Sequence, residues 1–146
     1  MANFEFWRRW LQIVGLGMCL FGILMALGST TPLFAAFNEQ INNVFWAETP
    51  LPLGTQAFQG WAYGVWGATV AGYGGLAAVV AGRPFQTRSR WIRNGLVGSI
   101  VLWFVLDSGL SAAYGVWFNV AFNFLVLLLI ALPLWMTRSA FDEDSA

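Results

Sequence analysis

The chain has 146 residues, of which 58% are hydrophobic and 10% are charged, and its formal net charge is zero. A soluble domain carries about 25% charged residues, so the composition predicts an integral membrane protein, and the zero net charge gives no support to nucleic-acid binding. The sequence has no histidine and one cysteine, Cys19, which excludes histidine-ligated haem or zinc, a Ser-His-Asp triad and an intrachain disulfide.

Four segments are long and apolar enough to cross a bilayer, since a spanning helix needs about 20 mostly apolar residues. The predicted spans are residues 11–33, 59–81, 94–114 and 116–136. The sequence therefore predicts an all-α fold, an integral membrane four-helix bundle formed by a single domain over residues 1–146. The acidic tail at residues 139–146 is predicted to be a disordered end.

The first span carries small residues in alternating four- and three-residue steps. They are Gly15, Cys19, Gly22 and Ala26. Lipid provides no hydrophobic drive between helices, so small residues that let two backbones approach closely become important. This spacing predicts the seam of a left-handed antiparallel helix pair.

The loop at residues 35–58 is the longest connection and contains the segment FNEQINNVFW. Read as a helix, this segment has an apolar side and a polar side. The apolar side consists of Phe37, Ile41, Val44 and Phe45, and the polar side consists of Asn38, Glu39 and Asn42. The pattern predicts a short interfacial helix on the outer leaflet. A functional lid is the alternative.

The second span carries a small residue at every fourth position. The four positions are Gly60, Gly64, Ala68 and Gly72. Small residues at this spacing occur in many packed membrane helices, so we expect ordinary packing within the bundle. A dimerisation face or a ligand groove is the alternative interpretation.

All basic residues are arginines, and they determine the predicted orientation. They are Arg8, Arg9, Arg83, Arg88, Arg90, Arg93 and Arg138. They precede the first span, separate the second from the third, and follow the fourth, so the positive-inside rule predicts that both termini are cytoplasmic. We expect the four arginines at residues 83–93 to contact anionic lipid headgroups or an acidic partner.

The third and fourth spans are joined so closely that we expect an antiparallel hairpin with its turn near Gly115. Such a turn places Asp107 at the depth of Asn123, and Ser111 at the depth of Asn119. With a rise of about 1.5 Å per residue, Asp107 lies roughly 12 Å from the turn, in the outer half of the bilayer.

A buried carboxylate is costly in a membrane, so Asp107 needs protonation or several hydrogen-bond donors. We expect donors from nearby polar side chains and no salt bridge, because no arginine is predicted at that depth. The candidate donors are Ser111, Asn119, Asn123 and Trp103. The cluster is either a site for a proton, a cation or a polar ligand, or hydrogen-bonded glue that fixes the register of the hairpin.

The order of five stretches between residues 6 and 123 resembles a group of small bacterial four-span membrane proteins. The stretches are FWRRWLQ, GWAYGVWGATVAGYG, RPFQTRSRWIRNGL, WFVLDSGLS and GVWFNVAFN. The resemblance implies four spans and no activity. With the orientation rule, we expect a multi-pass protein of the bacterial cytoplasmic (inner) membrane.

Enzyme chemistry is the least supported class, because the sequence has no histidine, no cysteine pair, no phosphate-binding glycine loop and no set of acids for a metal. We expect a non-enzymatic protein without cofactor or metal, which is an accessory or scaffold subunit of a membrane complex or binds a lipid-like ligand. Its expected partners are membrane lipids, other subunits or further copies of itself, and not nucleic acid. The alternative is a homo-oligomeric transporter of protons, cations or small molecules that uses Asp107.

Overall fold

A computed structural model describes residues 2–47 and 50–141, and this part of the chain is almost entirely helical. Four long helices are present: α1 (Ala2–Gly28), α3 (Leu53–Val80), α5 (Arg90–Ala113) and α6 (Trp117–Met136). Shorter elements lie between and after them: a 3₁₀ turn (Pro32–Phe34), α2 (Ala35–Trp46), α4 (Arg83–Gln86) and a second 3₁₀ turn (Arg138–Phe141). Each long helix has the length and hydropathy of a membrane span. The prediction of an all-helical protein with four potential spans is confirmed.

Helix α1 begins well before the predicted span at residues 11–33. Its first turns include Glu5, whose carboxylate lies 2.8 Å from Arg8 and 3.8 Å from Arg9. These i,i+3 and i,i+4 pairs support a helix although the residues are charged. The two arginines therefore belong to the helix instead of preceding it, which hydropathy alone does not reveal.

Helix α1 also ends earlier than predicted, at Gly28. Thr31 precedes Pro32 and has extended backbone angles, φ −91° and ψ 166°. A residue before proline is pushed out of the helical region because the proline ring clashes with it. The helix therefore ends within the apolar segment, before the predicted end of the span at residue 33.

Helices α1 and α3 pack backbone to backbone in an antiparallel pair. A Cβ added to Gly22 would lie less than 3.0 Å from main-chain atoms of Ala71, and one added to Gly67 equally close to Ala26. Nearer the chain start, a Cβ on Gly15 would lie 2.7 Å from the backbone nitrogen of Ala78. Real Cβ atoms do not approach so closely, so this interface depends on glycine.

The seam predicted in the first span faces α3 along its whole length, since Gly15, Cys19, Gly22 and Ala26 all lie against α3. The antiparallel pairing of this seam is confirmed.

On α3, the contact face differs from the predicted one. Gly60 and Gly64 lie near Thr30 and Ala26, whereas Ala68 and Gly72 are exposed. Steps of four residues advance about 40° around a helix each time, so such a stripe drifts away from a fixed neighbour. The residues that stay in line are seven apart, namely Gly60, Gly67 and Gly74. The packing interpretation therefore holds for Gly60 and Gly64 and not for Ala68 and Gly72.

Helix α6 packs between α1 and α5. The indole N–H of Trp10 on α1 donates to the carbonyl of Leu129 at 3.1 Å, and the rings of Phe21 and Phe122 lie 5.7 Å apart. The hydroxyls of Tyr73 and Ser99 are 3.2 Å apart and join α3 to α5.

Helix α2 packs at one end of the long helices, opposite the end that carries the arginines. Its Phe37 packs edge-on against Tyr63 of α3 and Phe118 of α6, each with ring centroids 5.5 Å apart. The prediction of a membrane-surface position for this helix stays a prediction. The two ends are named below the α2 end and the arginine end.

The chain beyond α6 turns back onto the arginine end. Phe141 is only 1% exposed and contacts the rings of Phe4 and Phe85. The predicted disordered tail at residues 139–146 is therefore wrong for residues 139–141, because this aromatic cluster buries Phe141. Residues 142–146 lie outside the described residues.

A pair of equal substitutions in α1 tests the glycine interface. Gly22→Ala should lower the free energy of unfolding by about 1–3 kcal/mol, because the new methyl group forces α1 away from α3. Gly17→Ala is the control: Gly17 is exposed, and a Cβ there meets no atom within 4 Å. It should leave stability unchanged or slightly raised. Thermal unfolding in detergent, followed by tryptophan fluorescence, measures both; equal melting temperatures would contradict this account.

Candidate functional site

The connection between α5 and α6 is a tight turn at Gly115. Its φ of +76° is a left-handed conformation that glycine adopts without strain. The N–H of Val116 donates to the carbonyl of Ser111 at 2.7 Å, which closes the end of α5. The predicted hairpin is confirmed, and its turn fixes which residues of the two helices lie at the same depth.

The carboxylate of Asp107 is the centre of a polar cluster between these helices. Its Oδ1 accepts hydrogen bonds from the amide groups of Asn119 and Asn123, both at 2.7 Å. The hydroxyl of Ser111 donates to the same oxygen at 3.3 Å. The predicted meeting of these four side chains is confirmed, and each bond crosses the hairpin or spans one turn of α5.

Further hydrogen bonds tie the donors to each other. The Asn119 amide also donates to Ser111 at 2.8 Å, and the Asn123 amide also donates to the hydroxyl of Ser108 at 3.3 Å. Asn123 is 2% exposed, so it needs partners within the protein. Asp107 itself is partly exposed. The arrangement can fix the register of α5 and α6.

Trp103 lies apart from this cluster. It packs against the buried apolar core that includes Ile100 and Ile130, and its indole makes no hydrogen bond to Asp107 in the described part of the chain. The helix places it one turn from Asp107, but its side chain packs on this apolar core instead. Its predicted role as a donor is therefore wrong. No arginine forms a salt bridge with Asp107 among residues 2–47 and 50–141.

The arginine end is held together by guanidinium groups that bond to helix carbonyls. Arg90 donates to the carbonyl of Phe141 at 2.8 Å, and Arg93 donates to that of Leu134 at 3.4 Å. Arg8 likewise donates to the carbonyl of Ala81, the residue that caps the C-terminus of α3, at 3.3 Å. Carbonyls at a helix C-terminus carry partial negative charge, so cations stabilise them.

The other two arginines of the predicted basic surface differ in exposure. Arg88 stacks over the ring of Phe4 with its guanidinium carbon 5.3 Å from the ring centroid, whereas Arg83 is exposed. Binding of anionic lipid or an acidic partner by Arg83, Arg88, Arg90 and Arg93 stays a prediction. The structure adds that much of this charge is already used within the bundle.

A second group of polar residues lies at the α2 end and was not predicted from the sequence. It surrounds a cavity of about 350 Å³, whose polar lining includes Ser29, Thr30, Asn38, Asn42, Gln56 and Gln59. The available signal was the pair of carboxamides four apart in α2 and the pair three apart in α3. These spacings place each pair on one helix face, but the sequence does not show that the two faces meet.

Comparison with protein-family models, with curated proteins and with solved structures finds no match to this chain. Within the described ranges, no three histidine, cysteine, aspartate or glutamate side chains come together as a metal site requires. Function is therefore inferred from the two polar sites and from the surfaces of the helices.

Two substitutions of Asp107 distinguish the contribution of its acceptor oxygen to stability from that of its charge. Asp107→Asn keeps an acceptor for Asn119 and Asn123, so the free energy of unfolding should change by less than about 1 kcal/mol. Asp107→Leu removes the acceptor, so the amides of Asn119 and Asn123 keep only their bonds to Ser111 and Ser108, which should cost about 1–3 kcal/mol.

Reversible unfolding in mixed micelles measures both variants. Circular dichroism before unfolding confirms that each variant still forms its helices. Equal stability of the Asn and Leu variants would contradict a structural role for the hydrogen bonds.

Proposed function

We propose that this protein is a non-enzymatic accessory subunit of a membrane complex, and that it docks a transmembrane helix of a partner subunit against α5. The observation that carries the proposal is a stripe of exposed residues on α5, separated by alternating steps of three and four. The stripe consists of Gly95, Gly98, Leu102, Val105 and Gly109. This spacing follows one face of a helix, as in the seams of packed helix pairs.

The three glycines of this stripe are not needed by the protein's own packing. A Cβ added to Gly95, Gly98 or Gly109 would meet no atom within 4 Å. This is the opposite of the α1–α3 interface, where main chain fills the space beside Gly15, Gly22 and Gly67. Glycine in a helix interior costs about 1 kcal/mol relative to alanine in water. A close approach by another helix gives these positions a purpose.

Helix α5 is also the least enclosed of the four long helices. Of its most apolar window, 11% of the residues are buried, against 22% in each of the other three. Its bundle side packs on α6, and Ser99 reaches Tyr73 of α3. The rest of its circumference is available to lipid or to a partner, which supports a peripheral docking helix.

The Asp107 cluster supports the same proposal by fixing how α5 is rotated. Asp107 lies two residues from both Val105 and Gly109, which places it on the opposite side of the helix. Its bonds to Asn119 and Asn123 hold that side against α6. The stripe is then presented outward at a fixed angle, so the cluster acts as structural glue.

The proposed location is the bacterial inner membrane, with both termini in the cytoplasm. The support is that the arginines of α1, of the α4 region and of the chain after α6 share one end of the bundle. Arg8 contacts Ala81 there, and Arg90 contacts Phe141. Positive charge concentrates on the cytoplasmic side of membrane proteins. The α2 end then faces the outside.

Native mass spectrometry after extraction in mild detergent tests the docking proposal. The wild-type protein should retain a foreign subunit, and Gly98→Ile or Gly109→Ile should reduce the retained fraction at least tenfold, because the added side chain blocks close approach. Gly17→Ile on the exposed side of α1 is the matched control and should retain the partner.

Two outcomes would contradict the accessory role. A homo-oligomer without a foreign subunit would instead favour the alternative, a transporter that uses Asp107. A partner that stays bound to both α5 variants would show that α5 is not the docking helix.

A further inference from the structure

An apolar groove follows the seam between α5 and α6 at the arginine end. Its volume is about 200 Å³. Ile100 of α5 and Leu134 of α6 line it and are each 2% exposed, so they form its floor. Val97 and Ala131 form the facing walls. Both are small for apolar residues, and this leaves the space between the two helices open.

The groove has about the length of one lipid tail within a leaflet. On α5 the lining extends from Arg93 to Val101, and on α6 it extends from Leu127 to Trp135. Each of these stretches rises about 12 Å, at about 1.5 Å per residue. The hydrocarbon of one leaflet is about 15 Å thick, half of the roughly 30 Å of a bilayer. A tail that lies in the groove therefore contacts it along most of the depth of the leaflet.

A guanidinium group lies at the arginine end of the groove. The Nε of Arg93 donates to the carbonyl of Leu134 at 3.4 Å, which brings this side chain of α5 across the seam to α6. Its Nη1 donates to Asn94 at 3.3 Å. A guanidinium carries five N–H donors, and Nη2 makes no hydrogen bond within the described part of the chain. Arg93 therefore holds its charge beside the groove and keeps donors for an anion.

A second guanidinium borders the groove through Trp135. The guanidinium carbon of Arg138 is 3.9 Å from the centroid of this ring, which also lines the groove. The face of the ring attracts a cation at this distance, so the stacking restricts where the charge of Arg138 lies. A phosphate near Arg93 and Arg138 gains charge-assisted hydrogen bonds. The ammonium group of a zwitterionic lipid would be repelled by both arginines.

We propose that this groove binds one tail of an anionic phospholipid, with the phosphate of its headgroup paired to Arg93 and Arg138. The apolar walls suit the tail, and the guanidinium groups suit the headgroup. The attraction predicted for the four arginines at residues 83–93 needs only a charged surface, whereas this site also needs the tail. Val97 lies about 100° around α5 from Gly98, so the groove is separate from the proposed docking stripe. The proposal is therefore independent of the accessory role.

The test uses the full chain in nanodiscs that contain phosphatidylcholine and phosphatidylglycerol with identical tails at equal mole fractions. Native mass spectrometry counts the molecules of each lipid that stay bound. Phosphatidylglycerol should exceed phosphatidylcholine, and Arg93→Gln should lower their ratio about fivefold, the effect of one partly exposed ion pair. Arg83→Gln is the matched control, because Arg83 is exposed and is not part of the lining. It removes the same charge and should leave the ratio unchanged.

A second variant tests the tail at constant charge. Ala131→Leu places a larger side chain in the groove and should lower the number of bound phosphatidylglycerol molecules about fourfold, the effect of one methylene kept out of an apolar site. This variant decides the outcome if Arg93→Gln fails to fold. Ala121→Leu is its control: Ala121 is exposed on the same helix and does not line the groove, so the bound lipid should stay unchanged.

Added glycerol phosphate separates the headgroup from the whole lipid. Retention of phosphatidylglycerol supports the proposal, and its displacement would show that the tail is not recognised. Equal binding of the two phospholipids, equal effects of Arg83→Gln and Arg93→Gln, or wild-type binding by either folded groove variant would overturn the proposal. A second copy of the chain that is retained instead of lipid, and released by Ala131→Leu, would likewise contradict it.

Discussion

The backbone contact between α1 and α3 is the constraint on which the rest of the helix packing depends. Lipid tails are as apolar as leucine, so helices in a membrane associate through close packing and hydrogen bonds. Gly22 and Gly67 let the two main chains touch, where any side chain would separate them. Helix α1 is then the wall on which α6 packs, through Trp10 to the carbonyl of Leu129. Directly after α1, the carbonyl of Ser29 accepts a hydrogen bond from Asn38 and so orients this side chain of α2.

The two helix pairs of this protein are held by different forces. The α1–α3 pair uses shape, with small residues at the seam, whereas the α5–α6 pair uses hydrogen bonds around Asp107. Shape fixes how closely two helices approach, while polar bonds with a single acceptor fix rotation and register. The packing of α5 against α6 does not require glycine. The glycines on the opposite side of α5, Gly98 and Gly109, are therefore left for the proposed docking of a further helix.

The spans and the hairpin follow from the sequence because each depends on local properties. Hydropathy marks the apolar segments, and Gly115 with its neighbours leaves room only for a tight turn, so the meeting of Asp107 with Asn123 could be worked out from helical rise. The remaining features depend on partners that are distant in sequence. The burial of Phe141 needs Phe4 and Phe85. The contact face of α3 depends on its angle to α1. The cavity needs α2 to fold back over α3, which no local pattern specifies.

The position of α2 links the cavity to the hairpin. Asn38 on this helix lines the cavity, and the neighbouring Phe37 contacts Tyr63 of α3 and Phe118 of α6. Phe118 directly precedes Asn119, one of the donors to Asp107. The amide of Asn38 donates to the carbonyl of Ser29 at 2.8 Å, which ties α2 to the end of α1 as well. The hydrogen bond of Asn38 and the ring contacts of Phe37 therefore act together: both hold α2 against the helices, and Phe37 packs beside the end of the hairpin whose polar cluster holds α5 against α6.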